Sequence, residues 1–222
     1  MKIFISADIE GVNNILSWDE TGIDSSEYNY FRKQMTDEVR AACLGAKQAG
    51  ATDILVKDAH DWARNLILSD LPEFVKLHRG WEGCPCSMMA GLDQSFDAVI
   101  FIGYHSPAGS DGNPLAHTMN LKNSHVLING KLASEFYINA LYAAYLKVPV
   151  VFLSGDKELT RMVKEVNQNI YTVDTKEYVN TSSMNKLYDI EDLYKAIYKE
   201  NDSDEIYDLS NPSSGNPTSR FK

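Results

Sequence analysis

Two carboxylates, Asp8 and Glu10, stand two positions apart in the string Ser6-Ala7-Asp8-Ile9-Glu10-Gly11, directly after an apolar run over residues 1–5. An extended chain points residues i and i+2 to the same side, so a strand ending here presents both acids together, as a cation site requires. The arrangement recurs. Residues 52–57 form a second strand-like run ending in Asp58-Ala59-His60-Asp61, and the apolar run 97–103 ends in Tyr104-His105. His117 and Glu135 follow soon afterwards. Imidazoles and carboxylates together suit zinc or a similar first-row metal. Asp8, Glu10, Asp58, His60 and His105, with His117 and Glu135 nearby in sequence, exceed what one tetrahedral ion takes, so two ions sharing a carboxylate fit better, with Asp8 as the natural bridge. A pair of ions about 3.5–4 Å apart polarises a carbonyl and activates water, which is hydrolase chemistry.

Each residue taken singly has a plainer explanation. An isolated Asp-x-Glu is most often a solvated turn, here closed by Gly11. A histidine at a strand end is more often hydrogen-bonded structure than a ligand. Glu135 alone is a favourable charge in the first turn of a helix. Asp58 serves equally well as a ligand or as the acceptor that orients His60. What weighs against coincidence is three strands delivering donors to one edge. His78 and His125 have no such company and read as structural. Cys84-Pro85-Cys86 lacks a second cysteine pair and reads as loop, and Gly103, Gly109 and Gly112 form no phosphate-binding fingerprint.

The elements that must carry these residues alternate. A helix is expected over residues 27–48, stopped by Gly50, and another over 133–146, with Ser134 as N-cap and Glu135 in its first turn. A buried-type strand spans 148–153, a charged helix 157–166, and a last strand 170–173. Residues 117–121 and 125–128 flank the turn-prone Lys122-Asn123-Ser124 as a plausible hairpin, and Asn129-Gly130 marks a second turn. Residues 66–81 are hard to assign. A helix is expected over 190–199, while residues 201–222, rich in Asn, Asp, Ser, Gly and Pro, read as a polar tail. The fold class is α/β, a three-layer arrangement with a mostly parallel sheet and helices on both faces. One domain covers 1–200, and its ligands sit at the carboxyl edge of the strands.

Composition bounds the partners. The 222 residues carry a net charge of −10, without the basic patches that a nucleic-acid backbone requires. No apolar run reaches the roughly 20 residues that span a bilayer. Three cysteines make no disulfide framework, and Lys2 leads at once into a strand where a secretory leader would need its apolar core, so a cytoplasmic location is expected.

The strings FISADIEGV, ILVKDAHD, FIGYHSPAG, LAHTMN, INGKLASEFYINA and VPVVFLSGD, in this order over residues 1–175, resemble the D-aminopeptidase family of zinc peptidases. The resemblance implies two zinc ions held by Asp8, Glu10, His60, His105 and Glu135, with His117 acting in catalysis. It implies hydrolysis of short peptides with an N-terminal D-residue, D-alanyl peptides in particular, and assembly into a homo-oligomer. Family members continue for some tens of residues where this chain ends in its polar tail, which bears on oligomer geometry. Two other readings of the residues stand beside it. One is a mononuclear non-haem iron enzyme using His60, His105 and one acid. The other is a metal-stabilised binding protein without catalysis.

Overall fold

The computed structural model describes residues 1–179 and, as backbone, 182–185. The expected helix at 190–199 and the tail at 201–222 lie outside the described residues. Along the chain run β1 (Lys2–Ala7), α1 (Tyr28–Gln48), β2 (Asp53–Asp58), β3 (Val75–His78), β4 (Ala98–Tyr104), β5 (Leu127–Ile128), β6 (Lys131–Leu132), α2 (Glu135–Tyr145), β7 (Val150–Asp156), α3 (Lys157–Val166), β8 (Tyr171–Val179) and β9 (Ser182–Asn185).

Seven strands form one sheet in the order β3-β2-β1-β4-β7-β8-β9. Every neighbouring pair is parallel except β8 with β9. Parallel strands covered on both faces must be apolar on both, and β4 is buried at all seven positions. Its Ile100 and Ile102 join Met35, Val39 and Ala42 of α1 in one core, whereas Val99 and Phe101 join Phe136 and Ala140 of α2 and Leu159 and Val163 of α3 in the other. The three-layer α/β expectation holds. Helix α1 forms because Phe31, Met35, Val39, Ala42 and Ala46 recur at helical spacing on the face that meets the sheet. It stops at Gly50, whose φ of +94° is a conformation that glycine adopts without a Cβ penalty.

The strand order has a chemical consequence. The chain runs outward from β1 to β3 and then returns to place β4 on the other side of β1, so the carboxyl ends of β1 and β4 diverge at a topological switch point, where open α/β sheets bind ligands. The segment after β1 crosses the end of β4: the amides of Asp8 and Gly11 donate to the carbonyls of Ile102 and Gly103, both at 2.8 Å. A Cβ on Gly11 would lie 1.7 Å from the Tyr104 carbonyl oxygen, and one on Gly103 (φ +69°) 2.3 Å from the Asp8 carbonyl oxygen, so neither position admits a side chain.

One local expectation is corrected. The hairpin joins β5 to β6 around Asn129-Gly130, and the expected pairing of 117–121 with 125–128 is absent; only an isolated bridge links Thr118 and Asn120. Asn129 and Gly130 both adopt positive φ, 53° and 76°, which matches the twist of a two-residue hairpin, whereas Lys122-Asn123-Ser124 supplies no such residue pair. Cys84 and Cys86 lie in a turn, in keeping with the loop reading, and form a disulfide across it. The region 66–81 contains β3, a four-residue strand at the edge of the sheet.

Candidate metal centre

Each residue singled out for chemistry arrives at the switch point by the shortest route. Asp8 and Glu10 follow β1, His60 follows β2, His105 follows β4, and Glu135 opens α2, whose N-cap Ser134 accepts from the Tyr137 amide at 3.1 Å. His60 Nδ1 lies 3.4 Å from Asp8 Oδ1 and 3.1 Å from Glu10 Oε2. His105 Nε2 lies 3.5 Å from Asp8 Oδ2 and 3.8 Å from Glu135 Oε1. Two groups of three therefore form, Asp8 with Glu10 and His60, and Asp8 with His105 and Glu135, the donor atoms within each lying within 4.8 Å of one another. Asp8 belongs to both and offers a different oxygen to each histidine.

His117 joins the same place from the loop after β4. Its Nε2 is 3.5 Å from Glu135 Oε1, its ring stacks on His105 at 4.3 Å, and it forms a third group with Glu10 and His105.

The histidine tautomers follow from their other contacts, because a carbonyl oxygen can only accept. His60 Nε2 meets the Thr21 carbonyl at 3.2 Å, His105 Nδ1 the Ser106 carbonyl at 2.9 Å, and His117 Nδ1 the Leu115 carbonyl at 2.9 Å. Each of those nitrogens carries the proton, so in the neutral ring the opposite nitrogen aims its lone pair at the carboxylates. A backbone acceptor fixing the remote N–H is the usual support for a metal-binding imidazole.

The electrostatics point the same way. Burial and the adjacent Glu10 charge push the Asp8 carboxyl up into the neutral range. For Glu10 burial acts in the same sense, but His60, followed by the other two histidines, overrides it and holds the carboxyl well below the usual carboxylate range. Burial would lower His60 and His105, yet the surrounding carboxylates win: His60 is raised well above its ordinary value and His105 to about 9. Protons here neutralise a surplus of buried acid. Asp8 Oδ2, Glu10 Oε2 and His105 Nε2 are buried without a hydrogen-bond partner, and such atoms in a native protein call for an explanation. A divalent cation supplies one, since it takes these atoms as ligands and replaces the protons. The residues fit zinc in both chemistry and tautomer.

What holds these donors in place is less legible from sequence. Asp58 is not among the clustered donors; it accepts from the Asn65 and Leu66 amides at 2.6 and 2.8 Å and from Asn65 Nδ2 at 2.7 Å. Asn65 Nδ2 also donates to the His60 carbonyl at 2.8 Å, so Asp58 fixes the His60 turn through Asn65. Asp156, the N-cap of α3, accepts from the Ser106 amide beside His105, at 2.7 Å, and from Asn113 Nδ2 at 3.1 Å. From β8, the buried Lys176 donates to the carbonyls of Glu10, Val12 and Ile15 at 2.6, 2.8 and 2.7 Å, and Thr175 Oγ1 donates to that of Gly11 at 2.6 Å. No spacing rule links Lys176 to Glu10. His78 and His125 stay outside the clusters, His78 bonded to the Ala90 carbonyl and His125 to Ser124.

The centre opens into a cavity of about 650 Å³. Asp8, Glu10, His60, His117 and Glu135 form its floor, and Trp18, Trp81, Met88, Met119 and Leu121 are among the residues of its walls. A polar floor beneath apolar walls is the usual form of a small-molecule site.

Residues 1–204 match the family described as D-aminopeptidase. The D-aminopeptidase of Bacillus subtilis (strain 168) is 33% identical over 186 residues, which are 83% of this chain and 66% of that protein, so the match spans slightly less than two thirds of the relative. The solved structure of the Zn-dependent D-aminopeptidase DppA from Bacillus subtilis, a self-compartmentalizing protease, superposes with a TM-score of 0.82 at 27% identity, covering 90% of this chain and 72% of that one.

Proposed function

The chain belongs to the D-aminopeptidase family, and on that footing we propose that it is a zinc aminopeptidase. Its substrates are short peptides with an N-terminal D-residue, D-alanyl peptides among them, and it holds two ions per chain. The observation that carries this reading is the Asp8 carboxylate, shared by two groups of donors that together use Glu10, His60, His105 and Glu135. Zinc held by these five residues supplies Lewis acidity towards a scissile carbonyl and lowers the pKa of water.

The remaining chemistry falls to the chain. His117 is needed by neither group that shares Asp8, and with Nδ1 committed to the Leu115 carbonyl its Nε2 faces the cavity beside Glu135. As the imidazolium, with both ring nitrogens protonated, it is placed to donate a proton to a developing oxyanion or to the leaving amine, and as the neutral ring its Nε2 is placed to accept one, a role worth roughly 10²–10⁴-fold in rate. Trp18 packs edge-on to His117 at 5.4 Å and holds the ring upright. A homo-oligomer and a cytoplasmic location complete the proposal; the self-compartmentalizing solved relative supports the former.

The test is release of D-alanine from a D-alanyl dipeptide by protein stripped with a chelator and then reloaded. Stripping should abolish hydrolysis, zinc should restore it, and metal analysis should return about two zinc ions per chain. Full activity in the stripped protein would overturn the reading, and one iron per chain would favour a mononuclear iron enzyme instead.

A further inference from the structure

The turn that carries Cys84-Pro85-Cys86 lies between two parts of the cavity wall. Trp81 stands before it, and Ser87 and Met88 follow it. Both flanks are pinned. On one side the Gly80 amide donates to the Ala63 carbonyl at 2.8 Å, Trp81 Nε1 donates to the Asp61 carbonyl at 2.7 Å, and Lys57 Nζ sits 4.6 Å above the Trp81 ring. On the other, the Met88 carbonyl accepts from Ser6 Oγ at 2.9 Å and Met88 Sδ meets Asn139 Nδ2 at 3.3 Å. The Cys84–Cys86 disulfide crosses the turn between these anchors, with Cα atoms 5.2 Å apart. Directly after it, Ser87 takes a φ of +46°, which a residue with a side chain rarely adopts.

Two features argue against a purely structural bond. A disulfide stabilises a fold chiefly by closing a long loop, and this one spans a single intervening residue, so it contributes little to global stability. Both sulfurs are also on partly exposed residues, beside the exposed Gly83 and Pro85, where small thiols and disulfides reach them; accessible disulfides are the exchangeable ones. The third cysteine, Cys43, is fully buried and takes no part.

We propose that Cys84 and Cys86 form a reversible thiol–disulfide site, exchanging with low-molecular-weight disulfides such as oxidised glutathione, and that its state sets the wall of the cavity beside the metal centre. In the forward direction the thiolate of one cysteine attacks the small disulfide RS–SR, forming a mixed disulfide and releasing one RSH. The second cysteine attacks the protein sulfur of that mixed disulfide, forming Cys84–Cys86 and releasing the second RSH. The protein dithiol loses two electrons and two protons, and the small disulfide gains both. Reduction frees the turn between these pinned flanks, so the wall shifts at Ser87 and beside the Trp81 ring, while the metal ligands, held from other elements, keep their positions.

The kinetic arm of the test rests on the aminopeptidase reading; the chemical arm does not. Zinc-loaded full-length protein is equilibrated in glutathione buffers from fully reduced to fully oxidised, then alkylated without denaturation and analysed by peptide mass. Alkylation of Cys84 and Cys86 should fall as the oxidised fraction rises and recover on reduction, with Cys43 unlabelled throughout. KM for a D-alanyl dipeptide should be several-fold higher in the reduced protein, with kcat and zinc content little changed. The Cys84→Ser/Cys86→Ser variant should show the reduced value in every buffer. A pair that resists reduction by glutathione, or stays reduced against excess oxidised glutathione, overturns the exchange site. A complete redox transition with an unchanged KM overturns its link to the cavity. Should no peptide be hydrolysed in either state, the aminopeptidase reading fails, and the link is judged instead on a redox-dependent tryptophan fluorescence change that Trp81→Phe abolishes, its absence overturning the link.

Discussion

Lys176 donates a hydrogen bond of 2.6 Å to the main-chain carbonyl of Glu10, its partner across 166 positions of sequence. The same ammonium serves Val12 and Ile15, so one side chain from β8 holds the turn that follows the Asp8 and Glu10 carboxylates. Lys176→Met removes three donors from buried acceptors, each orphaned carbonyl costing about 1–3 kcal/mol. A lower melting temperature and zinc affinity reduced by roughly 10–100-fold are expected, read by thermal unfolding and competition with a chromogenic chelator. Parental zinc affinity in a folded variant would show that the clamp has no bearing on the site.

Asp8→Ala should cost more than any other ligand change. Its carboxylate belongs to both groups of donors, so the variant should retain at most one zinc ion per chain, measured by elemental analysis of dialysed protein. Two ions retained would mean that Asp8 does not bridge.

His117→Ala separates catalysis from metal binding. Zinc content and fold should match the parent, and turnover of a D-alanyl dipeptide should fall by about 10²–10⁴-fold. Loss of an ion would instead assign His117 to the group it forms with Glu10 and His105.

Zinc affinity should rise with pH. In the ion-free site His105 titrates near 9, because the Glu135, Glu10 and Asp8 charges outweigh its burial, and His60 is raised as well. Below those values each imidazole must lose a proton before it can bind, so affinity should climb from about pH 6 to about pH 9 with net proton release. Calorimetric titrations in buffers of different ionisation enthalpy measure that release, and an affinity flat over this window would contradict the assignment.

Glu38 gives a pH effect away from the ligands. Burial pushes its carboxyl up to about 7, against the opposing Asn13 amide bond and Lys176 charge, and its Oε2 lacks a hydrogen-bond partner. With the folded value above the unfolded one, the protonated form favours the fold. Its contribution is full below about 4.5 and is lost as pH rises through about 7. Glu38→Gln should therefore match the parent near pH 4.5 and exceed it above pH 8 by up to about 3 kcal/mol, the linkage equivalent of that shift. Denaturant unfolding at the two pH values measures the difference, and equal stabilities at both would show that Glu38 ionises without cost.

The cluster of donors was legible from sequence because a parallel α/β sheet turns a local pattern into a position in space. Each buried strand had to be a short apolar run, each run ended in a donor, and parallel pairing puts all such ends on one edge. Asp8, Glu10, His60 and His105 could thus be gathered without coordinates, and Ser134 at the start of α2 placed Glu135 with them. Turn chemistry was less forgiving: Asn129-Gly130 won the hairpin over Lys122-Asn123-Ser124 because only the former accepts positive φ at both positions. Tertiary structure alone decided which β1 neighbour opens the crevice, since strand order depends on crossovers that no local window contains. It also decided the supports. Lys176 on Glu10 and Asp156 beside His105 are polar groups whose partners are distant in sequence. Burial demands that they be paired, and only the folded chain determines with whom.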